Sequence, residues 1–230
     1  AGESAYHRGD HARAATYAEA GLALSQDDHG RWICLSTLSV LALARQEFAA
    51  AIDLSLEAHE LASEPRDNLG IAGLAAAYAG DLEHAVELNE RGGRSAVSPT
   101  MLGWTAYVRG EILTAGGDRK AAGPHYTEAI DLARTSGARF VEGIATVGLQ
   151  GTLAEAGQLD DALRGYREVV EYFARTGNWS HLGETLRNLA QLLSTIDDEA
   201  AAELRAAADD TRRGLEIARR HLDDKIASAS

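Results

Sequence analysis

A short turn signature recurs along this chain at intervals of 34 to 40 residues, and it constrains the fold more than any other feature. The signature is a glycine or a residue in its place, followed by a polar residue and an alanine-containing apolar segment. It begins at Gly9, Gln46, Gly80, Gly117, Gly157 and, with the glycine lost, Ile196. A period of this size in a helix-forming sequence indicates stacked helical hairpins, because one hairpin cannot bury its apolar face alone.

Each copy of the signature places an alanine five positions after the turn residue: Ala14, Ala51, Ala85, Ala122, Ala162 and Ala201. After Gly157, Ala162 shares one helical stripe with Leu159, Tyr166 and Val169, which follow at steps of three or four residues. A small residue in such a stripe lets a neighbouring helix approach closely. The pattern therefore predicts that the helix after each turn docks through its alanine.

The composition favours an all-α fold. Alanine and leucine dominate, only 6% of residues are aromatic, and proline occurs three times. The formal charge is −13, from 35 acidic and 22 basic residues, so we expect no direct contact with nucleic acid, whose phosphates such a chain repels. The single cysteine, Cys34, excludes an internal disulfide.

No apolar stretch approaches the roughly 18 residues that a membrane span requires, and no signal peptide opens the chain. These observations predict a soluble cytoplasmic protein. The chain begins without methionine, within what reads as the end of a helix. We therefore expect it to be a fragment of a larger protein.

The periodicity also predicts where the helices lie. After a first hairpin within residues 1–24, helices are expected over residues 31–45, 48–62, 67–79, 82–91, 101–115, 118–135, 138–156, 159–176, 179–194, 199–208 and 211–226. Gly92 and Gly93 are expected to end one helix, and Pro124 to kink another or delay its start to near Gly123. The last helix is expected to cap the stack, because an outermost helix would otherwise expose an apolar face.

No motif of a catalytic, cofactor or metal site is present. Neither a GxxxxGKS loop nor a GxGxxG loop occurs, and no Ser, Cys or Thr lies in a recognisable nucleophile motif. His7 and His11 are four residues apart, but Gly9 and Asp10 interrupt the helix that would align them as metal ligands. We therefore expect no enzyme activity, no cofactor and no metal.

The turn signature with its small residues resembles the tetratricopeptide repeat (TPR). In that family the turn separates two paired helices, and the first helix carries a small residue about seven positions before the turn. Ser39, Gly73 and Gly110 hold that position here, whereas the fifth copy departs from it with Gln150 beside Gly151. The resemblance implies one domain over residues 1–230, a right-handed α–α superhelix of about six hairpins with a C-terminal capping helix.

A stack of this kind leaves a concave groove lined by the first helix of each hairpin, which can hold a peptide or a partner's helix. Counting from the turns, the residues expected to face the groove are Thr37, Tyr78, Trp104, Tyr107, Glu111, Ile144, Arg187 and Gln191. Trp104, Tyr107 and Glu111 form the best cluster, because two large aromatics and an acid on one helical face are typical of a recognition anchor. Packing of both aromatic residues between hairpins is the alternative, and it stays open at this point.

Two late segments, RFVEGIATVGL and GYREVVEYFARTGNWSHLGETLRNLAQLL, resemble the C-terminal TPR region of actinobacterial signalling regulators of the LuxR and SARP kinds. The resemblance implies a non-catalytic protein- or peptide-binding scaffold, the sensor region of a transcriptional regulator. Its partner would include the ATPase switch domain of the parent chain. The alternatives are a small-molecule receptor for a sugar or metabolite, and a stand-alone structural adaptor that forms a homodimer.

Overall fold

The computed structural model of the chain describes residues 1–62, 67–207 and 210–228, and these residues are organised entirely as α-helices and short connections. Within these ranges there are thirteen helices and no strand. The helices are α1 (Gly2–His7), α2 (His11–Leu24), α3 (Asp28–Ala44), α4 (Phe48–Leu61), α5 (Asn68–Tyr78), α6 (Leu82–Ser95), α7 (Pro99–Ala115), α8 (Arg119–Ser136), α9 (Arg139–Glu155), α10 (Leu159–Thr176), α11 (Trp179–Leu193), α12 (Asp198–Ala206) and α13 (Thr211–Ser228). The predicted all-α class is confirmed.

Contacts divide the chain into two compact units, Ala1–Glu142 and Gly143–Ser230. In the first unit each helix from α1 to α7 packs on the next one, and the alternate helices α1, α3, α5 and α7 also touch in sequence. In the second unit α10 packs on α11, and α13 contacts α10, α11 and α12. The single domain expected over residues 1–230 stays a prediction.

The predicted turn residues adopt the left-handed backbone that reverses the chain between paired helices. Their φ angles are +79° at Gly9, +62° at Gln46, +89° at Gly80, +83° at Gly117 and +79° at Gly157. Glycine is favoured there because a side chain clashes with the carbonyl in this conformation. The sixth turn lacks the glycine, and α12 is capped instead by Asp197, whose side chain accepts a hydrogen bond from the Ala200 N–H.

The alanines that follow the turns are fully buried. All six have a relative exposure of 0%: Ala14, Ala51, Ala85, Ala122, Ala162 and Ala201. Gly73 and Gly110, in the helices before the turns, are buried as well. The prediction that each second helix docks through its small residue is confirmed.

Two predicted helix boundaries are wrong, whereas the kink expected at Pro124 as the alternative to a late start stays a prediction. Helix α6 continues through Gly92 and Gly93 to Ser95, because neither glycine adopts the left-handed backbone that ends a helix. Helix α8 begins at Arg119 and contains Pro124, because the Asp118 side chain accepts a hydrogen bond from the Ala121 N–H and starts the helix early. The predicted end of the twelfth helix at Ala208 lies outside the described residues.

Helix α13 covers the other helices of the second unit with an apolar face. Leu215 and Leu222 are buried, and Ile226 is half-buried. Its arginines bind acids as well as facing solvent: Arg219 donates to both oxygens of Glu171 over 2.6 and 2.8 Å. Along the described parts of the chain, no helix combines the length and apolarity of a membrane span.

Candidate binding site

Three tyrosines converge on one carboxylate in the first unit. The Tyr78 hydroxyl, at the end of α5, donates a hydrogen bond to Glu111 Oε2 over 2.5 Å. The Tyr126 hydroxyl, on α8, donates to Glu111 Oε1 over 2.7 Å and lies 2.9 Å from Thr114 Oγ1. We call Tyr78, Tyr107, Glu111, Thr114 and Tyr126 the tyrosine–glutamate cluster. Each carboxylate oxygen therefore has one phenolic donor.

The repeat itself creates the space for the cluster. Tyr126 is fully buried against Gly110, where an added Cβ would lie 2.6 Å from Tyr126 Cε1. Gly110 holds the small-residue position of α7, and Glu111 follows it directly in sequence. Packing of α8 on α7 therefore brings the Tyr126 hydroxyl to the Glu111 carboxylate.

Burial and mutual charge shift the acid–base properties of the cluster. Desolvation raises the pKa of Glu111, while hydrogen bonds from Tyr78 and Tyr126 and the charge of Arg119 oppose that rise. Burial, followed by the negative charge of Glu111, raises the pKa of Tyr78, Tyr107 and Tyr126 above the usual value of 10. The three phenols therefore stay protonated near neutral pH and remain available as donors.

The cluster reaches the surface through Tyr78. This residue is 43% exposed, and its hydroxyl is held by the hydrogen bond to Glu111. Tyr107 and Glu111 are half-buried. The ring centroids of Phe48 and Tyr78 lie 6.4 Å apart, and those of Tyr107 and Tyr126 lie 6.3 Å apart. The result is a patch of aromatic rings around a carboxylate.

Trp104 is packed between helices, with a relative exposure of 9%. Its ring centroid lies 5.4 Å from that of Tyr107, and its Nε1 would lie 2.0 Å from a Cβ at Gly70. Among the described residues, no acceptor lies within hydrogen-bonding distance of that nitrogen. A small pocket beside the indole, lined also by Asn89 and Thr105, has an empty volume of about 260 Å³ that includes its opening to solvent.

The other residues expected to line a groove are described within their own units. Thr37 is half-buried in α3, and its hydroxyl donates to the Ile33 carbonyl over 3.0 Å. Ile144, Arg187 and Gln191 belong to the second unit, where Ile144 is buried and the other two are exposed. Of the eight candidates, the structure brings Tyr78, Tyr107 and Glu111 together, with Trp104 beside Tyr107.

Tyr126 and Thr114 were missed by sequence reasoning, which assigned the binding surface to the first helices alone. A signal for Tyr126 was present. Tyr126 lies nine residues after Gly117, just as Tyr166 lies nine residues after Gly157 in the fifth copy. Both tyrosines are buried on a second helix. The sequence showed that a tyrosine fills this position, but its contact with Glu111 needed the structure.

Nothing in the described ranges groups three or more His, Cys, Asp or Glu side chains in a way that could hold a metal ion. Neither a protein-family model nor a curated protein sequence matches this chain. The resemblances to TPR proteins and to LuxR- and SARP-type regulators therefore stay predictions. Any functional assignment rests on the geometry of the tyrosine–glutamate cluster and on the repeat.

Proposed function

We propose that this chain is a non-catalytic TPR-type scaffold that binds a peptide or partner protein on its first helices. In this proposal, about six hairpins form a right-handed superhelix and α13 caps its end. Three observations support the repeat: the period of 34 to 40 residues, the left-handed turn residues and the six buried alanines. Contacts of α1, α3, α5 and α7 with one another support a continuous surface built from first helices.

The observation that carries the proposal is the hydrogen bond between Tyr78 and Glu111. It joins the neighbouring first helices α5 and α7 at a place where an aromatic ring is exposed. Hydrogen bonds already hold these side chains in one arrangement, so little of their conformational entropy would be lost when a partner binds. A fixed, partly exposed aromatic residue beside an acid is typical of an interface anchor.

We further propose that the scaffold is the sensor or partner-binding region of a cytoplasmic transcriptional regulator. The resemblance of residues 139–149 and 165–193 to the regulator family supports this placement. The partner would then include the ATPase switch domain of the parent chain, and partner binding would alter the contact between the two. Each repeat touches only its neighbours, so a small change at one interface can shift the whole array.

The second candidate is a small-molecule receptor, and the pocket beside Trp104 favours it. The buried indole N–H there has no acceptor among the described residues, so an oxygen of a ligand would supply the missing hydrogen-bond acceptor. The space there that the centre of a water molecule can occupy is about 10 Å³, which is roughly the room of one water and far below the roughly 300 to 1,000 Å³ of ordinary ligand pockets. The pocket therefore fits a water molecule better than a sugar.

The proposed function is tested by selecting peptides from a displayed random library on the immobilised chain and measuring their affinities by fluorescence anisotropy. We expect Tyr78→Ser to weaken a selected peptide by about tenfold or more, as the loss of an aromatic anchor does. Tyr17→Ser is the matched control, because Tyr17 on α2 is 39% exposed and also bonds through its hydroxyl, to Arg13. Failure to obtain a saturable peptide, or equal effects of the two variants, would contradict the proposal.

A further inference from the structure

Within the described ranges, Glu111 differs from the other half-buried glutamates in forming no ion pair. Glu142 accepts from Arg134 and Arg139, Glu171 from Arg167 and Arg219, and Glu203 from Arg220 and His221. Among the described residues, no basic nitrogen forms an ion pair with Glu111, and Arg119 acts on it through charge alone. Its hydrogen-bonding partners are the two phenols.

Two phenols do not saturate the Glu111 carboxylate. An ionised carboxyl group has about four acceptor positions, so each Glu111 oxygen retains one after accepting from a tyrosine. The Tyr126 hydroxyl gives its one proton to Glu111, so its oxygen accepts from the Thr114 hydroxyl and, in a fully buried side chain, is closed to a partner. The cluster therefore presents free acceptor positions on Glu111 together with a negative charge, and the hydroxyl protons of Tyr78 and Tyr126 are already donated to that carboxylate.

Aromatic residues lie near this carboxylate. Tyr78 on α5 donates to it, Tyr107 precedes it by one turn of α7, Phe48 lies beside Tyr78, and Trp104 lies beside Tyr107. The face of an aromatic ring attracts a cation, and the attraction grows where water is excluded. The other charged residue of α5 and α7, Arg109, is two residues from Glu111 and so lies about 200° around the helix.

We propose that the tyrosine–glutamate cluster binds the guanidinium group of an arginine side chain in the partner. This inference rests on the proposed function, because the arginine belongs to the peptide or protein bound by the first helices. A guanidinium carries five donors in one plane, enough to pair with the free acceptor positions of the Glu111 oxygens, and its face stacks on an aromatic ring. An ammonium group is more strongly hydrated and does not stack, so lysine fits this combination less well.

The charge of the chain supports the same choice. A net charge of −13 attracts a basic partner over a distance and repels an acidic one. A C-terminal carboxylate placed at this cluster would face Glu111, with like charges close together in a half-buried site. The cluster therefore selects a basic segment and rejects an acidic one.

The test is an NMR titration of the ¹⁵N-labelled chain with N-acetyl-arginine methylamide. N-acetyl-citrulline methylamide is the matched probe, because citrulline has the shape of arginine without its charge. We expect saturable shifts of amide signals at the end of α5 and in α7 with the arginine probe, and binding at least about tenfold weaker with the citrulline probe. Added salt should weaken the arginine complex.

Two variants complete the experiment. Glu111→Gln removes the charge and keeps the shape, and we expect it to weaken the arginine probe by about tenfold or more. Glu87→Gln on α6, an exposed glutamate, should leave the binding unchanged. Circular dichroism checks that both variants fold, and the comparison of arginine with citrulline on the unaltered chain needs no variant.

The results separate this inference from the proposed function. Equal binding of the arginine and citrulline probes, equal binding of N-acetyl-lysine methylamide, or unchanged binding to Glu111→Gln would overturn recognition of a guanidinium. If selected peptides still bind in a Tyr78-dependent way, the scaffold function stands and only the arginine inference fails. If no peptide binds the chain, the proposed function itself fails.

Discussion

The ring of Tyr126 lies directly on Gly110, so that a Cβ added to Gly110 would be 2.6 Å from Tyr126 Cε1. One contact therefore serves two purposes. It lets α8 dock closely on α7, and it aims the Tyr126 hydroxyl at Glu111 Oε1, 2.7 Å away. The small-residue position of the repeat and the candidate binding site depend on the same pair of residues.

Replacing Gly110 by alanine tests this contact. The new methyl group meets the ring of Tyr126, which is fully buried and has no room to move aside. We expect the free energy of unfolding to fall by about 1 to 3 kcal/mol, as it does when a packed core receives an extra methyl group. Urea denaturation followed by circular dichroism measures the change.

Gly92→Ala is the control for this substitution. Gly92 also lies inside a helix, but a Cβ there would make only an ordinary contact, 3.5 Å from Leu69 Cβ. Alanine is the better helix former, so we expect Gly92→Ala to gain about 0.5 to 1 kcal/mol. Equal stabilities of the two variants would show that Tyr126 does not pack on Gly110 as described.

The turn before α4 carries Gln46 with φ +62°, the one non-glycine among the seven left-handed residues in the part of the chain that the structure describes. An L side chain is disfavoured there, so Gln46→Gly should stabilise the chain by about 0.5 to 1 kcal/mol. The reverse change, Gly117→Ala at φ +83°, should destabilise it by about 1 kcal/mol, although a Cβ there would touch nothing within 4 Å. Thermal unfolding measures both. Destabilisation by Gln46→Gly together with stabilisation by Gly117→Ala would mean that these turns are not left-handed.

The buried position of Glu111 predicts a pH dependence of stability. Burial raises the pKa of Glu111 above its usual value of 4.5, so the folded chain holds a proton that the unfolded chain has already released. The stability contributed by this group is present below pH 4.5 and is lost as the pH rises through the folded pKa. We expect the original chain to lose stability relative to Glu111→Gln over this rise. Urea titrations at a series of pH values measure the difference in the free energy of unfolding between the two proteins. If the original chain gained stability relative to Glu111→Gln as the pH rises, the burial of Glu111 would be contradicted.

Glu171 in the second unit should behave in the opposite way. Hydrogen bonds from Arg219 lower its pKa below the usual 4.5, so its contribution is present above pH 4.5 and is lost as the pH falls through the folded pKa. At neutral pH, Glu171→Gln should cost about 1 kcal/mol of stability, and the cost should shrink in acid. Glu168→Gln, at an exposed position of the same helix, should cost little. A cost at Glu171 that does not change with pH would show that its charge is not held by Arg219.

The helices and their docking could be predicted from the sequence because both are local or repeated. Each turn residue and each alanine occurs in several copies, so one copy supports the assignment of another. The continuation of α6 through Gly92 and Gly93 could not be predicted in this way. A glycine commonly ends a helix when its backbone is left-handed, and the sequence does not show which conformation a glycine adopts. The start of α8 before Pro124 was also not predicted, because it depends on the Asp118 cap.

The candidate site could be predicted only in part. Tyr107 and Glu111 lie one turn apart on α7, so helical periodicity brings them together. Tyr78 and Tyr126 are distant from them in sequence, and they reach Glu111 only through the packing of α5 and α8 on α7. The choice between groove and core for Trp104 depended on its contact with Gly70, which no sequence pattern contains.

Partner binding at the tyrosine–glutamate cluster is tested most directly by hydrogen exchange of backbone amides, measured by mass spectrometry with and without a peptide selected on the chain. We predict slower exchange in α5 and α7, over Asn68–Tyr78 and Pro99–Ala115, which carry Tyr78, Tyr107 and Glu111. Protection confined to α4 and α6, over Phe48–Leu61 and Leu82–Ser95, would contradict binding on the first helices.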